Sequence, residues 1–329
     1  MILNGSQPES IAAAVRALQA GDLVGLPTET VYGLAADAAS DAAVAKIFTA
    51  KGRPADHPLI VHVADAAGVA HFADNVPAFA DKLMRAFWPG PLTLILPRRA
   101  AIGRAAAAGQ DSIGLRCPSH PVAQALLQAC AAAGVHGLAA PSANRFGRVS
   151  PTTAAHVQAE LGADLLVLDG GPCAVGIESA IVDCTRGAPV LLRPGVLTRA
   201  QIEAACGLPL RDRDELATPD PRAPGTLQAH YAPHAKVRLM DARALQTALD
   251  LLGADAAHIA VYSRVILRSR SAQVLRRRMP DDAAATAQQL FGVLREFDTQ
   301  GVRLIWIETP PDTPEWDGVR DRLERAAAA

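Results

Sequence analysis

Residues 41–63 read DAAVAKIFTAKGRPADHPLIVHV, and this stretch indicates the kind of fold. Val44 and Ile47 recur at helical spacing, which predicts a helix over residues 41–50. The apolar run 59–63 has the length and the branched side chains of a buried strand. A helix and a strand in such close succession predict an α/β fold.

Further elements are predicted on both sides of this stretch. The predicted strands are residues 23–26, 92–96, 113–116, 137–140, 165–168, 180–182 and 190–192. The predicted helices are residues 77–87, 119–133, 152–161 and 198–206, and one more begins after a Ser6-x-x-Glu9 capping box. Strands and helices are mixed without strict alternation, which predicts a twisted, mixed sheet flanked by helices.

The length of 329 residues favours two domains, because single cores rarely exceed roughly 250–300 residues. Composition changes at Gly207, after which proline and mixed charges indicate a linker. We therefore predict a catalytic domain over 1–206, a linker over 207–235 and a smaller C-terminal α/β domain over 236–329. Its predicted helices are 241–252, 283–297 and 319–329, and its predicted strands are 259–262 and 302–307.

Composition limits the partners of the chain. The net charge of −1 gives no general attraction to nucleic acid or membranes, and 4% aromatic residues argue against a base-stacking surface. Five cysteines without a C-x-x-C pair indicate neither a zinc site nor a disulfide framework. The sequence has no pattern typical of a signal peptide or membrane span, so we expect a cytoplasmic protein.

Two short segments predict a local anion site. Lys51 and Arg53 follow the first helix, and Pro141-Ser142-Ala143-Asn144 follows an apolar run. Cations, a hydroxyl and an amide on loops favour a ligand with several negative charges. The chain has neither a phosphate loop nor a G-x-G-x-x-G motif, so side chains would have to hold any nucleotide. The alternative for the two cations is an ordinary helix C-terminus, which attracts positive charge.

Other candidates lie at strand ends. Thr28 and Thr30 follow a strand and could bind a small polar ligand, although an ordinary turn with threonines that satisfy local backbone groups is the favoured interpretation. Arg116 at a strand exit could clamp a carboxylate, with a surface ion pair as the alternative. For His62 in its strand, a satisfied core residue is the favoured interpretation over a binding residue, and Ser179 near the start of a strand could face a ligand. No nucleophile with a convincing base is visible, which favours catalysis by positioning and charge stabilisation.

A basic run closes the set of candidates. Residues 264–278 contain six arginines, namely Arg264, Arg268, Arg270, Arg276, Arg277 and Arg278. Such a run could make a weak contact with RNA. A solvated, mobile basic loop is the favoured interpretation.

Taken together, these motifs resemble the threonylcarbamoyl-AMP synthase family in its long form, which joins a YrdC-like domain to a smaller C-terminal α/β (Rossmann-like) domain. The matching segments are Leu26–Leu34, Lys51–Pro54, His57–His62, Trp88–Thr93, Arg116, Pro141–Asn144, Ser150–Thr152, Glu178-Ser179, Arg193–Gly195 and His230–Pro233. The resemblance is dense over residues 1–235 and thinner beyond.

The resemblance implies synthesis of threonylcarbamoyl-AMP and pyrophosphate from L-threonine, bicarbonate and ATP with Mg²⁺, for modification of tRNA by a downstream threonylcarbamoyl transferase machinery. It implies a threonine pocket of Thr30, His62, Arg116, the backbone of Ala140, and Ser179. It implies ATP contacts from Arg53, His57, Ser112, Ser142, Asn144, Ser150, Arg193 and the linker residue Tyr231. The implied catalytic residues are Lys51, Arg53, Ser142 and Asn144. The alternative is a non-catalytic protein that binds double-stranded RNA.

The sequence departs from the family pattern at a few positions. These are Ala35-Ala36, Arg145-Phe146, Ala180 and Thr226-Leu227-Gln228. A carbamoyl transferase of the hydrogenase-maturation kind is a further alternative, but such chains carry C-x-x-C pairs that this sequence lacks.

Overall fold

The computed structural model describes residues 1–215 and 230–329, which form two compact units. Within these residues, the first unit comprises 1–146 and 150–215, and the second comprises 147–149 and 230–329.

The first unit is built on one large mixed sheet. Its strands are β1 (Ile2–Asn4), β2 (Val24–Leu26), β3 (Gly33–Asp37), β4 (Ile60–His62), β5 (Leu92–Pro97), β6 (Ser112–Arg116), β7 (Leu138–Ala139), β8 (Leu166–Asp169), β9 (Ala180–Asp183), β10 (Val190–Arg193) and β11 (Arg211–Asp212). Their order is β1-β8-β2-β3-β7-β4-β6-β5-β9-β10-β11, with parallel and antiparallel pairs. The predicted mixed sheet is confirmed.

Helices cover both faces of this sheet. They are α1 (Pro8–Gln19), α2 (Asp41–Lys51), α3 (Ala66–Phe72), α4 (Ala78–Phe87), α5 (Pro121–Ala132), α6 (Ala154–Leu161) and α7 (Arg199–Cys206). Along β3, Leu34 and Ala36 contribute to one hydrophobic core, whereas Ala35 contributes to a second core with α1 and α5. Because successive strand residues point to opposite faces, these two cores lie on opposite sides of the sheet.

The helix predicted from the opening stretch is α2, and its two ends explain where it stops. Ser40 caps the N-terminus by accepting a hydrogen bond from Ala43 N at 3.2 Å. Gly52 ends the helix with φ of 61°, a left-handed conformation that glycine adopts without steric strain. Lys51 is therefore the last helical residue, and its position is fixed by the helix.

The second unit contains a four-stranded sheet with only parallel pairs. Its strands are β12 (Lys236–Met240), β13 (Ile259–Ser263), β14 (Leu275–Arg278) and β15 (Leu304–Glu308), in the order β12-β15-β13-β14. Its helices are α8 (Ala242–Leu252), α9 (Ala283–Thr299) and α10 (Asp317–Ala327). The α/β class predicted for this part of the chain is confirmed. In the described residues of both units, no helix has the length and apolar character needed to span a membrane.

Three local predictions were wrong. The helix α1 has Gln7 at its N-cap without a side-chain bond, since Pro8 at the first helical position sets its start, so there is no capping box. The basic run is not simply a loop, because residues 275–278 form β14 alongside β13. The predicted linker begins with residues of the first sheet, because Arg211–Asp212 pairs with β10. Residues 216–229, including Thr226-Leu227-Gln228, lie outside the described residues.

Gly195 and Gly292 differ in the space that is available for a side chain. A Cβ at Gly195 would lie 2.4 Å from Ala180 N and 3.0 Å from Ala180 Cα, and backbone atoms cannot rotate away. We expect Gly195→Ala to destabilise the protein by about 2 kcal/mol or more. A Cβ at the helical Gly292 meets no atom within 4 Å, so Gly292→Ala should stabilise by about 0.5–1 kcal/mol. Urea unfolding of both variants would check this, and a neutral Gly195→Ala would contradict it.

Candidate active site

The segment after β2 is held in place by the hydroxyl of Thr28. Thr28 Oγ1 donates to Val31 O at 2.6 Å and accepts from the N–H groups of Thr30 and Val31, each at 3.2 Å. Because that hydroxyl has one hydrogen, the 2.9 Å contact between Thr28 Oγ1 and Thr30 Oγ1 is donated by Thr30. Thr30 Oγ1 therefore remains as a buried, fixed acceptor.

Arg116 ends β6 with a buried guanidinium. Its Nη1 donates to Thr30 Oγ1 at 2.8 Å, its Nη2 to Glu29 Oε1 at 2.5 Å, and its Nε to Gly90 O at 3.3 Å. The second oxygen of Glu29 accepts from Ser119 N at 3.1 Å. The side chains of Arg116 and Glu29 are only 5% and 8% exposed. The alternative of a surface ion pair is therefore wrong, and the pair is a buried one.

His62 ends β4 beside Arg116, because the parallel strands β4 and β6 are in register at these two residues. Burial, assisted by the charge of Arg116, lowers the pKa of His62 to about 3. The imidazole is neutral at neutral pH, and its buried Nδ1 has no hydrogen-bond partner among the described residues. In a core histidine with satisfied hydrogen bonds, this nitrogen would have a partner.

Ser179 precedes β9 and is held by its neighbours on both sides. Its hydroxyl lies 2.8 Å from Thr93 Oγ1. Arg193, the last residue of β10, donates from Nε and Nη2 to Ser179 O at 3.1 and 2.9 Å, and from Nη2 to Ser179 Oγ at 3.3 Å. All three side chains are buried. Arg193 therefore orients Ser179, and its contact with ATP stays a prediction.

Lys51 connects α2 to the loop of Pro141–Asn144. Its Nζ donates to Ser142 O at 2.5 Å and to Asn144 O. The lysine is 3% exposed, and burial together with the nearby charge of Arg53 lowers its pKa to about 7. Lys51 does lie at a helix C-terminus, as the alternative from the sequence proposed, but it is buried and also holds a loop.

Arg53 is also buried and packs against an aromatic ring. It donates from Nη2 to Pro58 O at 3.1 Å, and its guanidinium carbon lies 5.6 Å from the centre of the Phe146 ring. The same ring meets His57 edge-on, with centroids 5.5 Å apart. Phe146, one of the departures from the family pattern, thus supports two of the predicted ATP-binding residues.

Ser150 and Asn144 are buried close to the same loop. Ser150 Oγ donates to Glu178 Oε1, and Glu178 is 7% exposed. Asn144 Nδ2 donates to Arg145 O at 2.7 Å, and Asn144 is 1% exposed. Each of these two predicted site residues therefore donates a hydrogen bond to a polar neighbour. Glu178, one of these neighbours, was not predicted as a site residue.

Ser112 and Arg116 lie at opposite ends of β6. They are four positions apart, which corresponds to roughly 13 Å along an extended strand. Gly114 lies between them on the same face and adds no side chain, and both Ser112 and Gly114 are partly exposed. This face of β6 therefore forms a partly open strip that has a cation at one end and a hydroxyl at the other.

The predicted contacts at Ala140 and Tyr231 belong to different units. Ala140 N donates to Ile60 O at 3.0 Å within the sheet, so only the carbonyl of that residue could be offered to a ligand. Tyr231 belongs to the second unit, where its ring stacks on Phe291 with centroids 5.5 Å apart. The guanidinium of Arg322 lies 5.5 Å from the Tyr231 ring. The contact of Tyr231 with ATP stays a prediction.

Sequence reasoning missed Glu29, Thr93 and Glu178. Each lies within or next to a motif that was recognised, but none was assigned a partner. One signal was available for Glu29: an arginine at the end of a buried strand requires a carboxylate, and Glu29 lies between the two candidate threonines.

Two family models match this chain. The model described as telomere recombination, which covers Sua5, YciO and YrdC proteins, matches residues 16–195. The model described as threonylcarbamoyl-AMP synthase, C-terminal domain, matches residues 197–328.

Full-length relatives and solved structures also match. The chain is 37% identical to a threonylcarbamoyl-AMP synthase of Bacillus subtilis, over 99% of this chain and 94% of that protein. It is 35% identical to one of Pyrococcus abyssi, over 96% and 94%. The crystal structure of P. abyssi Sua5 complexed with L-threonine superposes with a TM-score of 0.89 at 34% identity, covering 99% of this chain and 97% of that one.

The depressed pKa of His62 predicts a pH-dependent stability. The unfolded chain binds a proton at His62 below about pH 6.5, whereas the folded chain resists protonation down to a pKa of about 3. Stability is therefore lost as the pH falls below 6.5, by about 2 kcal/mol at pH 5 for this group.

Urea unfolding at pH 7 and pH 5 would measure this loss. We expect His62→Gln to lose less stability than the unsubstituted protein over that interval. His258→Asn is the control, since His258 is exposed and asparagine tolerates its φ of 58°. An equal loss in His62→Gln would show that His62 is protonated in the folded state.

Proposed function

This chain belongs to the Sua5/YrdC family of threonylcarbamoyl-AMP synthases, and we propose that it makes threonylcarbamoyl-AMP and pyrophosphate from L-threonine, bicarbonate and ATP. The observation that carries this proposal is the buried Arg116, which has a fixed carboxylate partner and still has donors for a second one.

The threonine end of the proposed site is the pocket around Arg116. A guanidinium has five N–H donors, of which three are used by Thr30, Glu29 and Gly90. One N–H on Nη1 and one on Nη2 remain for the carboxylate of threonine. The unsatisfied Nδ1 of the neutral His62 can accept or donate a hydrogen bond there. With a pKa of about 3, His62 cannot act as the base that deprotonates the threonine amine.

The ATP end of the proposed site is formed by Lys51, Arg53 and the loop of Pro141–Asn144. The net charge of the chain is −1, so attraction to a triphosphate has to come from cations placed locally. A phosphate close to Lys51 would favour its charged form and raise its pKa above about 7. Ser112, about 13 Å along β6 from Arg116, is at a distance that a threonine and a nucleotide bound end to end could span.

The chemistry proposed for this site has two steps. The neutral amine of threonine and bicarbonate form a carbamate and release water. A carbamate oxygen then attacks the α-phosphorus of ATP in line, and pyrophosphate leaves with the electrons of the broken P–O bond. Three anions meet in this reaction, and buried cations such as Arg116 and Lys51 would reduce their repulsion.

Mg²⁺ enters the proposal as part of the substrate, bound to the phosphates of ATP. It would neutralise charge on the departing pyrophosphate. In the described residues there is no group of three or more His, Cys, Asp or Glu side chains arranged to hold a metal ion.

We also propose that the product passes to a downstream threonylcarbamoyl transferase machinery that acts on tRNA. A weak contact with RNA would rest on fewer charges than the sequence suggested. Of the six arginines between 264 and 278, three form ion pairs with acidic side chains, namely Arg264 with Glu308, Arg277 with Glu296 and Arg278 with Asp281.

Omission of single substrates tests the proposed reaction. We expect pyrophosphate release only when L-threonine, bicarbonate, ATP and Mg²⁺ are all present, because the carbamate must form before it can attack. Enzymatic detection of pyrophosphate with each component left out in turn would measure this. Release at the same rate without threonine would contradict the proposal, and binding of double-stranded RNA without any turnover would favour the non-catalytic alternative.

Glu29 is expected to position Arg116 for threonine. In Glu29→Gln, Arg116 loses its charged partner and its fixed orientation, so the KM for threonine should rise roughly tenfold, with a smaller change for ATP. The control is Asp183→Asn, which removes the charge of another buried carboxylate, paired with the partly exposed Arg186 at 2.9 Å on a different strand end. Steady-state kinetics would resolve the two KM values. An unchanged threonine KM in folded Glu29→Gln would remove this role.

A further inference from the structure

The segment Gly147–Val149 belongs to the second unit, although the residues before and after it belong to the first. It lies between Asn144 and Ser150, two residues predicted to bind ATP; Ser150 follows it directly, whereas Arg145 and Phe146 separate it from Asn144. These three residues therefore belong to the second unit, whereas Asn144 and Ser150 belong to the first.

Backbone contacts attach this segment to the residues after Tyr231. Ala232 N donates to Gly147 O at 2.9 Å, and Arg148 forms an isolated parallel bridge with Ala232. Arg148 Nη1 also donates to Pro233 O at 3.4 Å. The segment Gly147–Val149 and the residues after Tyr231 therefore lie side by side.

Helix α9 contacts both of these segments. Arg295 donates from Nη2 to Val149 O. The carboxylate of Asp298 accepts from His234 N at 2.9 and 2.8 Å and from Ala235 N at 3.1 Å, and it lies 3.8 Å from Arg148 Nη2. The Asp298 side chain is only 15% exposed.

These side chains form one stripe on α9. Phe291, Arg295 and Asp298 are spaced by four and three residues, so they lie on the same face of the helix. Phe291 stacks on Tyr231, while the other two hold the flanking backbone. Tyr231 has a φ of 61°, a left-handed conformation that is unusual for a tyrosine and needs such support.

We propose that Arg295 and Asp298 are positioning residues for ATP: by holding residues 147–149, they fix Ser150, which follows directly, and restrain Asn144, which lies three residues before Gly147. The inference rests on the proposed function and gives the second unit a role in it. Without this clamp, ATP would have to order the segment when it binds, and each residue so ordered weakens binding by roughly tenfold. Threonine, bound at Arg116, would be unaffected.

Asp298→Ala in the full chain tests the clamp. We expect the Kd for ATP to rise at least tenfold, measured by titration calorimetry, and the Kd for threonine to change by less than twofold. Glu296→Gln is the matched control, because Glu296 lies on the same helix and forms an exposed pair with Arg277 at 2.9 Å. Asp298→Asn keeps one acceptor oxygen, so its Kd for ATP should lie between those of Asp298→Ala and Glu296→Gln.

Hydrogen exchange provides a readout that does not depend on ATP. In Asp298→Ala the amides of His234 and Ala235 lose their acceptor, and the amide of Ala232 loses the support of its neighbours, so all three should exchange faster.

The outcomes are distinguishable. Unchanged ATP affinity in Asp298→Ala, or an equal loss of ATP and threonine affinity, would overturn the clamp and leave the proposed function standing. An unsubstituted chain that binds no ATP would overturn the proposed function, and the clamp with it.

Discussion

A buried guanidinium needs a partner for its charge and acceptors for most of its donors, and the candidate site depends on how Arg116 meets that constraint. Glu29 supplies the charge, and Thr30 and Gly90 accept two further hydrogen bonds. Because Glu29 and Thr30 follow β2 while Arg116 ends β6, the pair ties together two segments that are distant in sequence. The fold thereby holds a cation with spare donors where a carboxylate can reach it.

The same constraint shapes the second cation of the site. Lys51 is buried at the end of α2 and donates to two carbonyls of the loop of Pro141–Asn144. Burial, assisted by the nearby charge of Arg53, lowers the pKa of the lysine to about 7, and the two carbonyls provide acceptors but no counter-charge. Arg116 is thus neutralised before any ligand arrives, whereas Lys51 gains its full charge when an anion is present. This difference suits one residue to orientation and the other to charge stabilisation.

Part of the fold and site could be predicted because the relevant forces act locally. Helical spacing in residues 41–50 identified α2, and the apolar runs around Ile60 and Leu115 identified β4 and β6. Prediction failed where one local signal overrode another, as at Pro8, which set the start of α1 despite the Ser6 and Glu9 pattern. It also failed for β14, because pairing with β13 stabilises a strand of three arginines that has no strand pattern of its own.

The sequence by itself determined the α/β class, the order of the motifs and the residues that could bind an anion, because these follow from the chemistry of short segments. Only the tertiary structure decided which of them are buried and what they touch. Glu29, Thr93 and Asp298 acquire their roles from partners that are distant in sequence, and no spacing along the chain encodes those contacts. Burial then set the protonation of His62 and Lys51, because desolvation depends on everything packed around a group and not on its neighbours in sequence.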